Sequence, residues 1–235
     1  MIPFRDNIPS RSTPIITVCL ILINVFVFIY ELSLGDALEP FMYEFGVVPS
    51  LITHWPQSDL SFVAIVIPFL TSMFLHGGWL HVIGNMWYLW IFGDNIEDRL
   101  GHFAFLAFYL LCGIGAGVVH TMFNANSRVP SVGASGAIAG VLGAYLVSYP
   151  FARVLTLVPI FVFIQVIEIP ALIVLGFWFI MQFFYGTASL AATSVNETGG
   201  VAWWAHVGGF VIGILLIGLF PRRDRRNYGY YTTRV

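Results

Sequence analysis

Gly133-Ala134-Ser135-Gly136-Ala137-Ile138-Ala139-Gly140-Val141-Leu142-Gly143-Ala144-Tyr145-Leu146-Val147-Ser148-Tyr149 is the stretch that decides how this chain folds. Its serine stands at the mouth of an apolar run built largely of small residues, the composition of a helix packed closely against other helices in lipid. A later apolar run opens with Ala205-His206-Val207-Gly208-Gly209. A hydroxyl and an imidazole at matching depths of a membrane point to a nucleophile and its base.

Composition identifies the solvent. Of 235 residues, 58% are apolar and only 9% charged, where a soluble domain carries about a quarter charged residues. A chain this poor in polar groups needs a bilayer to cover it. The 10 basic residues are all Arg and the net charge is −2, which offers a nucleic acid no cationic surface. Cys19 and Cys112 lie inside apolar runs and read as small packing residues, not as a bridge.

The run from Pro14 to about Leu32 is long enough to span and has no small-residue cleavage site close behind it, so it is expected to be a retained helix. Spans are expected at about 14–32, 79–95, 102–123, 135–149, 170–187 and 202–220. Between the first two, Gly35 to Leu80 is broken by Pro40, Pro49, Pro56 and Pro68 and reads as an irregular outward loop, with Phe62–Leu75 interfacial or partly embedded. Arg153 to Ile169, interrupted by Pro159, is assigned to the membrane surface. Arg5 and Arg11 flank the start and Arg222, Arg223, Arg225 and Arg226 the end, whereas the 35–80 loop has no basic residue. By the positive-inside rule both termini face the cytoplasm, which requires an even number of spans. The expected fold is all-α, a six-span polytopic bundle, with 221–235 as a short basic cytoplasmic tail.

In that layout the second, fourth and sixth spans enter the bilayer in one direction. His81 with Asn85 one turn later, Ser135 and His206 then all fall in the outer third. Gly136 and Gly140 in one helix, and Gly209 and Gly213 in another, repeat at small-xxx-small spacing. That spacing lets two backbones approach until a hydroxyl reaches an imidazole nitrogen at about 3 Å.

These residues resemble the rhomboid intramembrane serine proteases. The resemblance runs from the first span to Gly213 and rests on His76-Gly77-Gly78-Trp79-Leu80-His81 with Asn85, Glu97-Asp98-Arg99-Leu100-Gly101, Gly133-Ala134-Ser135-Gly136, and Ala205-His206 with Gly209 and Gly213. It implies that residues 1–235 form one rhomboid-like membrane domain. Ser135 matches the family nucleophile and His206 its general base. His81 and Asn85, with the Ser135 backbone N–H, match the oxyanion hole, and Arg99 a structural position after the second span. Some relatives carry a Tyr four residues after the serine, stacked on the histidine. Here that position is Ala139, and the residues alone do not name what holds His206.

The chemistry can be argued from the residues as well. A serine hydroxyl attacks a carbonyl only if a neighbour takes its proton. The fourth and sixth spans contain no Asp or Glu, so a Ser-His dyad is expected in place of a triad. Negative charge then develops on the carbonyl oxygen, where fixed donors stabilise it; losing one typically costs about 3 kcal/mol. Deacylation needs water, hence a wet cavity open outward, which Gly77-Gly78 and the 186–201 segment are placed to border or gate. His76 and His81 come with no further ligand set, so no metal or other cofactor is expected. The expected function is an intramembrane serine endopeptidase acting through an acyl-enzyme on transmembrane segments of membrane-protein substrates in a plasma (inner) membrane. The alternatives are a catalytically inactive rhomboid-like client-binding protein or a small transporter.

Overall fold

The computed structural model describes residues 1–160, 163–191 and 201–221. The basic tail therefore lies outside the described residues except for Pro221, as do residues 192–200 of the glycine-bearing 186–201 segment. The chain opens with strand β1 (Ile2–Asp6) and helix α1 (Ile15–Leu32). Helices α2 (Leu38–Phe45), α3 (Pro49–Thr53), α4 (Phe62–Val66) and α5 (Pro68–Thr71) follow, then the long helices α6 (Trp79–Leu100) and α7 (His102–Phe123). Helix α8 (Ser135–Ser148), strands β2 (Arg153–Ile160) and β3 (Phe163–Pro170), and helices α9 (Ala171–Ala191) and α10 (Trp203–Leu216) complete it.

Three described helices, Ile15–Leu32, His102–Phe123 and Ala171–Leu190, are long and apolar enough to cross a bilayer, with mean hydropathies of 2.5, 1.9 and 1.7. Phe62–Phe74 and Trp79–Leu100 qualify only as a pair, bent by 79°. Helices α8 and α10 are apolar but have 14 residues each. At 1.5 Å per residue that is about 21 Å, short of the roughly 30 Å hydrocarbon layer.

The two short helices nevertheless form the centre. Every residue of α8 from Gly136 to Tyr145 is buried. On one side α8 meets α10 backbone to backbone: a Cβ built on Gly209 would lie 2.0 Å from the Gly136 carbonyl oxygen, and one on Gly213 2.0 Å from that of Gly140. On its other side α7 closes in, leaving a Cβ on Gly136 only 2.6 Å from that of Ala116 and one on Gly140 2.5 Å from Cys112 Sγ. No side chain larger than hydrogen fits along that seam. Cys19 and Cys112 are both free thiols.

Two expectations need correction. The 35–80 loop is not irregular throughout: it carries short helices, and two of its prolines stand at helix starts. Pro49 and Pro68 stand at the first turns of α3 and α5, where the missing N–H has no intrahelical partner to lose. Ser61 caps α4 by accepting the Ala64 N–H at 3.2 Å. The fold is also not purely α. Arg153 to Ile160 and Phe163 to Pro170 pair antiparallel, and β1 adds on the outer side of β2, giving the order β1-β2-β3 with Ile2 opposite Leu157 and Asp6 opposite Val154. The segment is rich in Val, Ile and Phe, which favour extended backbone. Pro159 lies past the last residue of β2 that β1 pairs, so its lack of an N–H breaks no bond to β1.

Glu97 and Asp98, near the C-terminal end of α6, fasten α1 to the bundle. The fully buried Glu97 carboxylate accepts the Ile16 and Thr17 N–H groups at 2.9 and 2.8 Å, the Thr17 hydroxyl at 2.7 Å and His102 Nδ1–H at 2.5 Å. Helix α1 has no side-chain cap of its own, so this anion satisfies its orphan donors and faces the positive end of its dipole. Asp98 accepts the Ser12 hydroxyl at 2.7 Å. Arg99 donates to Ser148 Oγ at 2.6 Å, tying the ends of α6 and α8 together. Gly101, at φ +83°, turns the chain straight into α7, a backbone conformation that an L side chain rarely adopts.

Candidate active site

The N-terminal ends of α6, α8 and α10 converge, so these three helices run in the same direction and bring together His81, Ser135 and His206. Ser135 is the first residue of α8 and is partly accessible. The segment before it is docked on the 45–75 region: Val47 and Ser131 exchange backbone bonds of 3.0 and 2.8 Å, and the Gly133 N–H donates to the Ser72 carbonyl at 2.8 Å. This places Ser135 Oγ 2.8 Å from His206 Nε2. His206 is 9% exposed and lies one turn inside α10. Standing at a helix N-terminus, Ser135 has backbone N–H groups with no intrahelical acceptor and the positive end of a helix dipole beside it.

His81 and Asn85 face Gly133. A Cβ built on Gly133 would come within 2.6 Å of His81 Nε2 and 3.6 Å of Asn85 Nδ2, and its φ of +126° disfavours any side chain there. The Gly77 N–H donates to His81 Nδ1 at 3.3 Å, which leaves the ring proton on Nε2, the nitrogen turned toward Gly133. Asn85 Nδ2 is buried with no hydrogen-bond partner among the described residues. A buried amide donor without an acceptor is expensive, and here its neighbours are the turn that carries the serine. The His76 ring, 1% exposed, meets the His81 ring edge-on at 5.1 Å, and its backbone N–H donates to the buried Glu31 carboxylate. His76 thus supports the His81 wall and does not reach the serine's hydrogen-bond network.

What holds His206 was not legible in the sequence. Its Nδ1 is 2.7 Å from Gln182 Oε1 of α9. The Trp178 ring, one turn earlier on α9, flanks the imidazole at 5.8 Å with planes 34° apart, and Trp203 meets it edge-on at 6.2 Å. Ala139, where some relatives of the resembling family carry Tyr, is buried in α8, and α9 supplies the aromatic face instead. The available signal was a single one: Gln182 is the only Asn or Gln in α9, and a buried amide in a membrane helix requires a partner.

A cavity of about 20 Å³ adjoins the serine, lined by Ser72, Met73, Ala116, Gly133, Ser135 and Ala205 among others. That is room for one water. A larger hollow of about 570 Å³, lined by Tyr43, Val48, His54, Asn126 and Arg128, contains none of the converging residues and lies between the 43–54 and 126–128 segments. Among the described residues no group of three His, Cys, Asp or Glu is placed to hold a metal ion.

Comparison with known proteins follows the same lines. A family model described as the Rhomboid domain matches residues 64–223. Presenilin-associated rhomboid-like protein A, mitochondrial, of Danio rerio is 32% identical over 160 residues, covering 65% of this chain and 37% of the relative. Rhomboid-like protein 11, chloroplastic, of Arabidopsis thaliana is 29% identical over 162 residues, covering 66% and 52%. Rhomboid protein 1, mitochondrial, of Saccharomyces cerevisiae is 29% identical over 178 residues, covering 74% and 44%. The chain spans only about a third to a half of the length of these relatives. Their names overturn the expectation of a plasma (inner) membrane with cytoplasmic termini, since these relatives are mitochondrial or chloroplastic. Arginine distribution reports the side of a membrane on which a loop stays, not which membrane it is.

Proposed function

The chain belongs to the rhomboid family, whose members are in general intramembrane serine proteases, and on that premise we propose that it is a serine endopeptidase working inside an organelle membrane. The observation that carries this reading is the 2.8 Å contact between Ser135 Oγ and His206 Nε2. Ser135 is the nucleophile. As its oxygen bonds to the scissile carbonyl carbon, its proton passes to His206 Nε2, and the carbonyl π electrons move onto oxygen. That oxyanion lies against His81 Nε2–H, Asn85 Nδ2–H and the Ser135 N–H, each a donor fixed before reaction begins. Collapse of the tetrahedral adduct expels the amine, which takes the proton back from His206. Water entering by the cavity beside Ser135 then repeats the sequence on the acyl-enzyme, with His206 again the base.

The substrates are transmembrane segments of other membrane proteins, reached within the bilayer. The single rhomboid-like domain crosses six times, with α1, α6, α7, α8, α9 and α10 as the crossings. The short α8 and α10 begin below the surface, which sinks the dyad and leaves a depression for water above it.

Purified protein reconstituted with a tagged single-span reporter tests the proposal. Wild type is expected to cleave, and Ser135→Ala and His206→Ala to abolish cleavage while melting like wild type. A Ser135→Ala protein that cleaves at the wild-type rate refutes the mechanism. A folded wild type that cleaves no member of a reporter panel and leaves Ser135 inert to acylating probes indicates the client-binding alternative.

A further inference from the structure

We propose that Gln182 is a positioning residue for the general base, holding His206 in the one neutral tautomer that can deprotonate Ser135. This rests on the reading of Ser135 and His206 as nucleophile and base. Gln182 is 8% exposed, in a helix whose other side chains are almost all apolar. Burying a primary amide there is unfavourable unless it is hydrogen-bonded, and its oxygen meets His206 Nδ1 at 2.7 Å while the opposite ring nitrogen meets Ser135 Oγ at 2.8 Å.

A neutral imidazole carries one ring proton. With the Gln182 oxygen as acceptor, that proton resides on Nδ1, and Nε2 presents its lone pair to the serine hydroxyl. The reverse tautomer would protonate Nε2, turn Ser135 from donor into acceptor, and leave no base. Gln182 therefore fills the geometric role that a carboxylate fills in a triad, without the negative charge. The imidazolium formed during attack is met by the Gln182 dipole and the flanking Trp178 ring in place of a carboxylate, and it returns its proton to the leaving amine. Helices α8, α9 and α10 carry no acid and no arginine. The titratable groups that act on His206 from the other packed helices are His81 of α6 and His120 of α7.

The test uses the full chain in lipid vesicles with the single-span reporter. Gln182→Met keeps the length and apolar bulk and removes the acceptor. It is expected to lower kcat about 10- to 100-fold, the scale of a mispositioned catalytic group, with KM within about twofold of wild type. Gln182→Glu restores an acceptor and adds charge. It is expected to recover most of kcat and to move the acidic limb of the kcat/KM profile to higher pH by about one unit or more, because a neighbouring carboxylate favours imidazolium. Nitrogen-15 spectra of histidine-labelled protein, with His206 assigned by its loss in His206→Ala, are expected to give the Nδ1–H tautomer in wild type and a mixture in Gln182→Met. If wild type cleaves and Ser135→Ala does not, yet Gln182→Met matches wild type in kcat and tautomer, the role of Gln182 is refuted while the dyad stands. If wild type does not cleave at all, the dyad reading fails first. Should Gln182→Met not fold, Gln182→Glu decides alone: an unmoved acidic limb overturns the proposal.

Discussion

Replacing Gly209 with Ala puts the seam between α8 and α10 under direct test. The added Cβ would lie 2.0 Å from the Gly136 carbonyl oxygen and 2.9 Å from its carbon. Both are backbone atoms in a helix buried along its length, so no rotamer change can relieve the clash. Restoring an ordinary contact of about 3.2 Å requires the two helices to part locally by about 1 Å, and overpacking of this kind typically destabilises by about 1–3 kcal/mol. The larger consequence is catalytic. His206 is one turn from Gly209 on the same helix, and Ser135 is the residue before Gly136, so the separation is transmitted almost undiminished to the dyad. A 2.8 Å hydrogen bond opened by about 1 Å is no longer a hydrogen bond, and a misplacement of that size can lower the rate about 10²-fold. Reporter cleavage in vesicles, read beside a melting curve, is therefore expected to fall about 100-fold for Gly209→Ala with a lowered melting temperature. Gly176→Ala in α9, where a Cβ meets nothing within 4 Å, should change neither appreciably. A Gly209→Ala enzyme that cleaves and melts like wild type refutes the backbone-to-backbone seam as the device that joins Ser135 to His206.

Three further outcomes are expected. Glu97→Gln removes the anion that accepts four hydrogen bonds at the foot of α1. Since a bond to a charged group contributes about 1.5–3 kcal/mol, a loss of about 3 kcal/mol is expected in a detergent unfolding titration; an unshifted transition would contradict the capping role. Asn85→Ala should reduce kcat about 10²- to 10³-fold, the effect of one oxyanion donor, with the melting curve unchanged; a purely structural Asn85 would lower stability and spare kcat. Burial holds the Asp6 carboxyl above its usual 3.8, against the lowering effect of the Tyr145 hydroxyl that donates to it. Between 3.8 and the raised value the folded protein binds more protons than the unfolded chain, so this group's contribution to stability falls as pH rises through that window. The melting temperature of Asp6→Asn relative to wild type should accordingly rise with pH over the same window, and a difference that is flat or falling would sink the assignment.

Much of this arrangement can be read from residue order alone, and the reasons are physical. Ser135, His81, Asn85 and His206 are rare polar groups at the openings of apolar runs, and the layout expected from the sequence runs the three helices carrying them in one direction. Gly136, Gly140, Gly209 and Gly213 repeat at the spacing of one helix face, so the close seam leaves a periodic trace. Other features leave none. A lone Gln182 in an apolar helix has no period, and only the fold reveals that its amide faces His206. Pro49 and Pro68 look alike as helix breakers and as first-turn residues, because the difference depends on which side of the proline the helix lies. The apolar run 153–169 has neither the length of a span nor clean alternation, and the pairing of β2 with β1, about 150 residues earlier in the chain, is a tertiary choice. Glu97 shows the same limit: its motif is visible, but its partners at Ile16 and Thr17 are some 80 residues away.

Acylation of one residue tests the central claim most directly. Folded wild-type protein treated with a fluorophosphonate, digested and analysed by mass spectrometry should carry the adduct on the Ser135 peptide, and His206→Ala should label at least about 100-fold more slowly, the scale of general-base assistance. Modification at another serine, or labelling of Ser135 at an equal rate without His206, would contradict the account.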